Sequence, residues 1–169
     1  MEVRERTETD LDGLVQIAGV VHDVDGYPLY LPGDLRTFLA SADATHAWVA
    51  EMDGEVVGHV ALHHRSSCAV MALASEAAGR PPERLGVIAR LLVAPPARGK
   101  GIGRCLLRTA TDAARGQGLY PVLDVAVHHA AAIKLYEASG WERAGRVTVT
   151  FGHGGALDEY VYLGPSENP

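Results

Sequence analysis

The stretch Arg98-Gly99-Lys100-Gly101-Ile102-Gly103 decides the fold of this chain, because it places glycines and cations between a predicted strand and a predicted helix. The apolar run 86–93 predicts a buried strand, which ends at 94–97 since the two prolines there cannot continue a central ladder. A helix is predicted from about Gly101 to Arg115, where apolar residues recur with a period of about 3.6. The first amides of a helix lack intrahelical partners, so this arrangement favours binding of a phosphate-like anion.

Glycine and positive charge both support an anion site at this loop. Gly99, Gly101 and Gly103 would let a pyrophosphate approach the backbone amides, or would adopt positive φ. The whole chain has a net charge of -6, so cations at this end of the helix reverse the local sign. These cations are Arg98, Lys100, Arg104 and Arg108. The alternative interpretation is a glycine turn with a solvated charged face.

Two other phosphate-binding motifs fit the sequence less well. A Rossmann site would combine Gly101-Ile102-Gly103 with Asp124 as the ribose-binding acid. However, Leu106 occupies the position of the third glycine, and a proline-containing spacer separates the strand from the glycines. A Walker loop is excluded because the sequence contains no Gly-Lys-Ser or Gly-Lys-Thr.

Composition predicts one soluble domain over residues 1–169, since 47% of the residues are apolar and 21% are charged. The charged N-terminus and the lack of a long apolar run predict a cytoplasmic protein without a membrane segment. The acidic net charge argues against a nucleic-acid partner. Cys68 and Cys105 have no Cys-x-x-Cys pattern, so neither a disulfide framework nor a zinc site is predicted.

The chain as a whole predicts the element order β α α β β β α β α β β. Thr9-Asp10 and Asp34 are predicted helix N-caps, and Asp53-Gly54 predicts a hairpin turn. The segment 66–82 is ambiguous, because its middle is compatible with a helix and its end contains two prolines. The helix after the glycine loop should bury one face, formed by Ile102, Cys105, Leu106, Ala110 and Ala113.

The eight histidines raise the question of a metal site. The spacing His59-x-x-x-His63 would chelate on a helix, but it lies in a predicted strand, where the two side chains are separated by roughly 13 Å. His63-His64 and His128-His129 would point to opposite sides of an extended backbone. No metal site is therefore predicted.

The glycine loop resembles the signature of the GNAT superfamily of N-acyltransferases, Arg/Gln-x-x-Gly-x-Gly/Ala, which is matched by Arg98, Gly101 and Gly103. Leu123-Asp124-Val125 and the run 131–141 are similar to the second motif of the family, a strand and a helix that close the cofactor cleft. The resemblance implies an α/β (α+β) GNAT fold. Such a fold has a mixed central sheet of about seven strands flanked by about four helices, with a splayed strand pair that holds the cofactor.

The resemblance implies acetyl-CoA as co-substrate and no metal. In the family, the strand before the loop offers backbone groups to the pantetheine arm, and by position these belong to Leu91, Leu92 and Val93. The N–H near Val93 is also a candidate to stabilise the oxyanion of the tetrahedral intermediate. His129 stands where the family often has Asn, so it either replaces that contact or caps the helix. The implied cofactor-binding set is completed by Ala132 and by Arg98, Gly99, Lys100, Gly101, Ile102, Gly103 and Arg104.

Tyr136 is the implied general acid, because the departing CoA thiolate needs a proton and a phenol with a pKa of about 10 can supply one. The alternative is that Tyr136 is a packed aromatic residue, as Trp141 is expected to be. The general base is not identified, since Val87-Ile88-Ala89 stands where some family members carry Glu or His. The candidates for that role are Glu83, His63, His64, Asp124, a water relay or an amine that arrives partly deprotonated.

Tyr27 and Tyr30 lie in the segment that lines the acceptor pocket in the family. Their rings would hold an amine by stacking or cation–π contact, or would pack an irregular loop. The sequence therefore predicts an enzyme that transfers acetyl to a primary amine of a small molecule, by direct attack in a ternary complex. The alternatives are a non-catalytic acyl-CoA sensor, a protein N-terminal or lysine acetyltransferase, and a nicotinamide-dependent oxidoreductase. A homodimer is common in the family.

Overall fold

The structure of the chain, a computed structural model, describes residues 1–29 and 33–166. Within these residues it contains seven strands and five α-helices. The strands are β1 (Glu2–Glu5), β2 (Ala44–Met52), β3 (Glu55–His63), β4 (Leu85–Val93), β5 (Tyr120–Ala126), β6 (Glu142–Phe151) and β7 (Gly155–Leu163). The helices are α1 (Leu11–Asp25), α2 (Leu35–Leu39), α3 (Cys68–Ala78), α4 (Ile102–Gly116) and α5 (Ala130–Ala138).

The strands form a mixed sheet in the order β1-β2-β3-β4-β5-β7-β6, which confirms the predicted sheet. β4 and β5 are parallel, whereas β5–β7 and β6–β7 are antiparallel. The parallel ladder comprises Leu85–Val87 and Tyr120–Val122, so it is short relative to both strands, as a splayed pair requires. The hairpin between β2 and β3 is also confirmed, since Asp53 and Gly54 both have positive φ, 56° and 82°.

The helix count differs from the expected four because the ambiguous segment 66–82 contains the full helix α3. The Ser67 hydroxyl accepts a hydrogen bond from Val70 N–H and caps this helix. Its buried residues, Val70, Met71 and Ala74, recur at helical spacing. Gly79 is the C-cap and ends the helix in the left-handed region, with a φ of 61°.

The chain divides into two compact units, of which the first comprises Met1–Leu62 and Ile88–Asp112. Its core contains Leu11, Leu14, Ala18, Val21, Leu39, Val49 and Leu92. The start of α1 differs from the prediction, because Asp10 accepts hydrogen bonds from the Thr7 N–H and hydroxyl and from Arg4 instead of capping the helix. Asp34 caps α2 as predicted, through the N–H groups of Arg36 and Thr37.

The second unit comprises His63–Val87 and Ala113–Pro169. Its core forms where α3 packs on the sheet, and it contains Val70, Met71, Ala74, Leu85, Val87, Val122 and Val161. Partly buried residues of β6, including Val147 and Val149, extend this core. Apolar residues at alternate positions of β5 and β7 therefore face α3.

The buried face of α4 differs from the predicted one. Ile102, Leu106 and Ala110 are buried as expected, but Cys105 and Ala113 are only partly buried. Leu107 and Ala114 are buried as well, so the apolar face is shifted by about one position. Within the described residues, no helix is long and apolar enough to cross a membrane.

Candidate active site

The glycine loop of the first unit leads directly into α4. Gly99 and Gly101 have φ values of 77° and 80°, which confirms that this turn requires the left-handed region. Gly103 lies inside α4. The ladder of α4 begins where Cys105 N–H donates to the Gly101 carbonyl at 3.0 Å. The amides of the residues between them therefore precede the ladder and are placed to bind an anion.

Exposed cations surround this helix start. Lys100, Arg104 and Arg108 are exposed, and among the described residues none of them forms an ion pair. Together with the partial positive charge of the helix N-terminus, they make a cationic end on an acidic chain. The charges predicted to attract a phosphate group are thus available at three of the four positions.

Arg98, the fourth cation, is engaged within the first unit. Its two terminal nitrogens contact the Asp25 carboxylate at 3.1 and 2.5 Å, and its Nε donates to the Val93 carbonyl at 3.1 Å. The side chain therefore joins the end of α1 to the end of β4. This geometry favours a role in shaping the loop over one in direct phosphate binding.

β4 contains a backbone irregularity immediately before Leu91, Leu92 and Val93. Arg90 has a φ of 55°, which costs a bulky non-glycine residue on the order of 1–3 kcal/mol. The fully buried His59 compensates, since its Nδ1–H donates to the Arg90 carbonyl at 2.9 Å. The other ring nitrogen of His59 lies 3.4 Å from the Arg6 guanidinium. The positive φ of Arg90, which a non-glycine residue rarely adopts, is thus stabilised by His59 on β3, and His59 in turn contacts Arg6 after β1.

Tyr27, in the predicted acceptor segment, is held by contacts within the first unit. The Tyr27 ring lies edge-on to the Phe38 ring, with ring centroids 6.1 Å apart. The Arg90 guanidinium lies over the same Phe38 ring, 3.8 Å from its centroid. His22 donates from Nδ1 to the Pro28 carbonyl at 2.7 Å, which anchors the turn after α1. Tyr30 lies outside the described residues.

Tyr136 lies on α5 in the second unit and is 7% exposed. Its ring centroid is 6.4 Å from that of Trp141 and 6.0 Å from that of Tyr162. Trp141 is buried as expected. The position of Tyr136 is therefore fixed by aromatic packing, which is compatible both with a structural role and with a precisely held phenol.

His129 occupies the N-cap position of α5, but its side chain makes no capping hydrogen bond, so the capping interpretation is wrong. Its ring packs against His128 with centroids 4.4 Å apart. The two rings do not point to opposite sides, because the backbone here forms a turn rather than a strand. Ala132 is partly buried in the first turn of α5.

The four candidates for the general base have different surroundings in the second unit. Glu83 and His64 are exposed, and His63 is 4% exposed at the end of β3. Asp124 on β5 is partly buried, and its carboxylate accepts a hydrogen bond from the Ser66 hydroxyl at 3.0 Å. No group of three or more His, Cys, Asp or Glu side chains within the described residues is arranged to hold a metal ion.

Asp124 is accompanied by an acid that the sequence reasoning missed, Glu159 on β7. In the β5–β7 ladder Asp124 lies opposite Val161 and Glu159 lies opposite Ala126, so both carboxyl groups are on the same sheet face. Burial, reinforced by the charge of Asp124, raises the pKa of Glu159 to about 7. A sequence signal existed, because Glu159 interrupts an alternating apolar series with Leu157, Val161 and Leu163. Arg90 was missed in the same way, as a charge within the apolar run of β4.

Comparison with known proteins places this geometry in a family. A model of the acetyltransferase (GNAT) family matches residues 18–141. The ribosomal-protein-alanine N-acetyltransferase from Brucella melitensis is 25% identical, and the structural similarity covers 98% of this chain and 100% of that one with a TM-score of 0.72. The acetyltransferase yncA from Salmonella typhimurium, solved with its cofactor acetyl-CoA, is 22% identical and has the same fold, with coverage of 100% and 96% and a TM-score of 0.70.

A curated relative from Mus musculus, a member of N-acetyltransferase family 8 (member 5), is 37% identical over 100 residues. The match covers 59% of this chain and 39% of the relative, so it spans about two fifths of the relative's length. The family predicted from the glycine loop and the second motif is confirmed. Because the family model matches most of its length, this chain belongs to the acetyltransferase (GNAT) family.

Proposed function

We propose that this chain is an N-acetyltransferase that uses acetyl-CoA as co-substrate and a primary amine of a small molecule as acceptor. The observation that carries the proposal is the glycine loop at the start of α4. It combines backbone amides ahead of the helical ladder with the exposed cations Lys100, Arg104 and Arg108. Membership of the acetyltransferase family supports the transfer of an acyl group.

Open space at the glycines also supports binding of the CoA diphosphate at this loop. A Cβ added at Gly99 or Gly101 would meet nothing within 4 Å, so this side of the loop is open to a ligand. Backbone amides and cations are the donors that phosphate groups prefer at helix starts. Leu91, Leu92 and Val93 of β4 would bind the pantetheine arm, and Ala132 and His129 would add contacts from α5. Acetyl-CoA supplies an activated thioester when it is bound.

The proposed reaction is direct acyl transfer. The acceptor nitrogen bonds to the thioester carbonyl carbon, the carbon–sulfur bond breaks, the nitrogen loses a proton and the sulfur gains one. Tyr136 donates the proton to sulfur, and the backbone N–H near Val93 donates to the carbonyl oxygen as negative charge develops there. Asp124 stays a candidate for the base, and Glu159 on the same sheet face joins it, because a carboxyl group with a pKa of about 7 can accept a proton near neutral pH.

A second candidate acceptor is the N-terminus of a protein. The Brucella relative is named as an enzyme for the alanine of a ribosomal protein, and its sequence is 25% identical over nearly the whole chain. A third candidate is an acyl-CoA sensor, which would keep the loop and need no acid at Tyr136.

Release of CoA thiol from acetyl-CoA across a panel of amines and peptides tests these candidates. Amine-dependent release with small amines supports the proposal, whereas release with peptides alone supports the protein acceptor. Tight CoA binding without release from any member would contradict both and support the sensor. Stabilisation by NAD but not by CoA would instead indicate an oxidoreductase.

A matched pair of variants tests the loop itself. Arg104→Gln removes an exposed cation beside the helix start, and Arg80→Gln removes an exposed arginine after α3. The first should raise the KM for acetyl-CoA several-fold and the second should leave it unchanged. An equal rise in the KM for acetyl-CoA in both variants would show that the net charge of the protein, rather than the cations at the loop, attracts the cofactor.

A further inference from the structure

The Arg90 side chain on β4 lies partly buried, and no acidic side chain among the described residues pairs with it. Its guanidinium is 3.8 Å above the Phe38 ring. Among the described residues Arg90 forms no ion pair, and its buried Nε has no hydrogen-bond partner. Charges that leave water are normally paired in proteins, so a partly buried guanidinium without an acid indicates a partner supplied from outside.

The position of this guanidinium is fixed by its surroundings. The left-handed φ of Arg90 is held by the fully buried His59, whose Nδ1–H donates to the Arg90 carbonyl. The opposite nitrogen of His59 faces Arg6, which also donates to the Leu39 carbonyl. Burial lowers the pKa of Arg6, and that residue is already engaged by these two acceptors. Arg90 is therefore the available cation of this cluster.

Arg90 is connected to the proposed acceptor segment through aromatic rings. Phe38 covers one face of the guanidinium, and the edge of Phe38 contacts Tyr27. Stacking on a ring leaves the N–H groups at the rim of a guanidinium available, and these form a planar fork. A carboxylate accepts two parallel hydrogen bonds from such a fork.

We propose that Arg90 selects acceptors that carry a carboxylate besides the amine, so that the substrates are free amino acids. This inference rests on the proposed acetyltransferase function and deepens it. The carboxylate pairs with Arg90, and the amino group of the same molecule is the nucleophile described above. The products are an N-acetylated amino acid and CoA thiol. Arg90 is here a specificity-determining residue and takes no part in proton transfer.

Matched acceptors test the proposal directly. Each free amino acid of a panel is compared with its amide and with the amine that lacks the carboxyl group. The kcat/KM should be at least about tenfold higher for the free amino acid, because a charged hydrogen-bonded pair contributes about that much or more. Peptide amides with an acidic second residue form a further arm. A preference for those peptides over free amino acids would overturn the amino-acid assignment.

Arg90→Gln removes the charge and should lower kcat/KM about tenfold to a hundredfold for free amino acids only. Arg90→Lys should restore part of this loss, because it keeps the charge but not the fork. Arg80→Gln is the control. An equal loss for amides and free amino acids, or no loss at all, overturns the proposal while the acetyltransferase function stands.

Direct binding keeps the proposal testable if no amine releases thiol. Calorimetric titration of the amino-acid panel into the CoA-bound protein should show binding to the wild type that weakens in Arg90→Gln. Equal binding to both proteins, or no binding to the wild type, overturns the proposal. Thermal melts establish that each variant is folded, and Arg90→Lys decides the outcome if Arg90→Gln does not fold.

Discussion

Gly58→Ala tests the packing that supports the cofactor loop. Gly58 lies on β3, and a Cβ built there would be 2.9 Å from Leu106 Cδ1, 3.1 Å from the Leu92 carbonyl oxygen and 3.4 Å from Ile102 Cγ2. Ile102 and Leu106 belong to the first turns of α4, directly after the glycine loop. The absence of a side chain at Gly58 thus lets the start of α4 pack closely on the strand.

The loss of stability in Gly58→Ala depends on whether the atoms near the added methyl group can move away. Leu106 is fully buried, so its methyl group has little space to rotate, and the Leu92 contact is with backbone. An added methyl group in a filled core costs about 1–3 kcal/mol in the free energy of unfolding. For a chain of this size each kcal/mol shifts the Tm by about 2–4 °C. Because α4 would move with its loop, the KM for acetyl-CoA should also rise.

Urea denaturation and acetyl-CoA kinetics measure the two effects. Gly13→Ala is the matched control, since a Cβ at this exposed position of α1 meets nothing within 4 Å. That control should gain about 0.5–1 kcal/mol, the difference in helix propensity between the two residues, with an unchanged KM. If Gly58→Ala is as stable as the control and its KM is unchanged, the packing argument is refuted.

Three further predictions concern protons. Asp10→Asn should lower the free energy of unfolding at pH 7 by about 1–3 kcal/mol, because the Arg4 guanidinium holds the pKa of Asp10 well below its ordinary value of 3.8. This difference should shrink in urea denaturation as the pH falls below about 4, because the Asp10 carboxylate of the unfolded chain takes up a proton there while that of the folded protein stays charged. A constant difference would contradict the assignment. Glu159→Gln should raise the Tm at pH 8 more than at pH 5, since ionisation of Glu159 between its ordinary value of 4.5 and its folded value of about 7 opposes folding. Equal shifts at both pH values would show that Asp124 and burial do not control this carboxyl. Tyr136→Phe should lower kcat about a hundredfold in the thiol-release assay without unfolding the protein, and a much smaller loss would indicate that Tyr136 only packs.

Short-range features could be predicted because neighbouring residues determine them. The Asp53-Gly54 turn and the glycines at 99 and 101 adopt the positive φ values that their residue types permit. The helix after the loop follows from its apolar period, although the buried face includes Leu107 and Ala114 rather than Cys105 and Ala113. Segment 66–82 was undecided by sequence, because a short apolar run is compatible with several structures until it packs.

The sequence by itself determined the family, the strand–loop–helix unit and the cationic start of α4, since these depend on residue types within one continuous segment. Only the tertiary structure showed that Arg98 pairs with Asp25, 73 residues away, and that Arg90 stacks on Phe38. It also placed Glu159 beside Asp124, where burial and a neighbouring charge shift the proton equilibrium. The physical reason is that ion pairing, stacking and desolvation depend on which distant segments come into contact. The sheet register that brings these segments together cannot be predicted from any single stretch of the sequence.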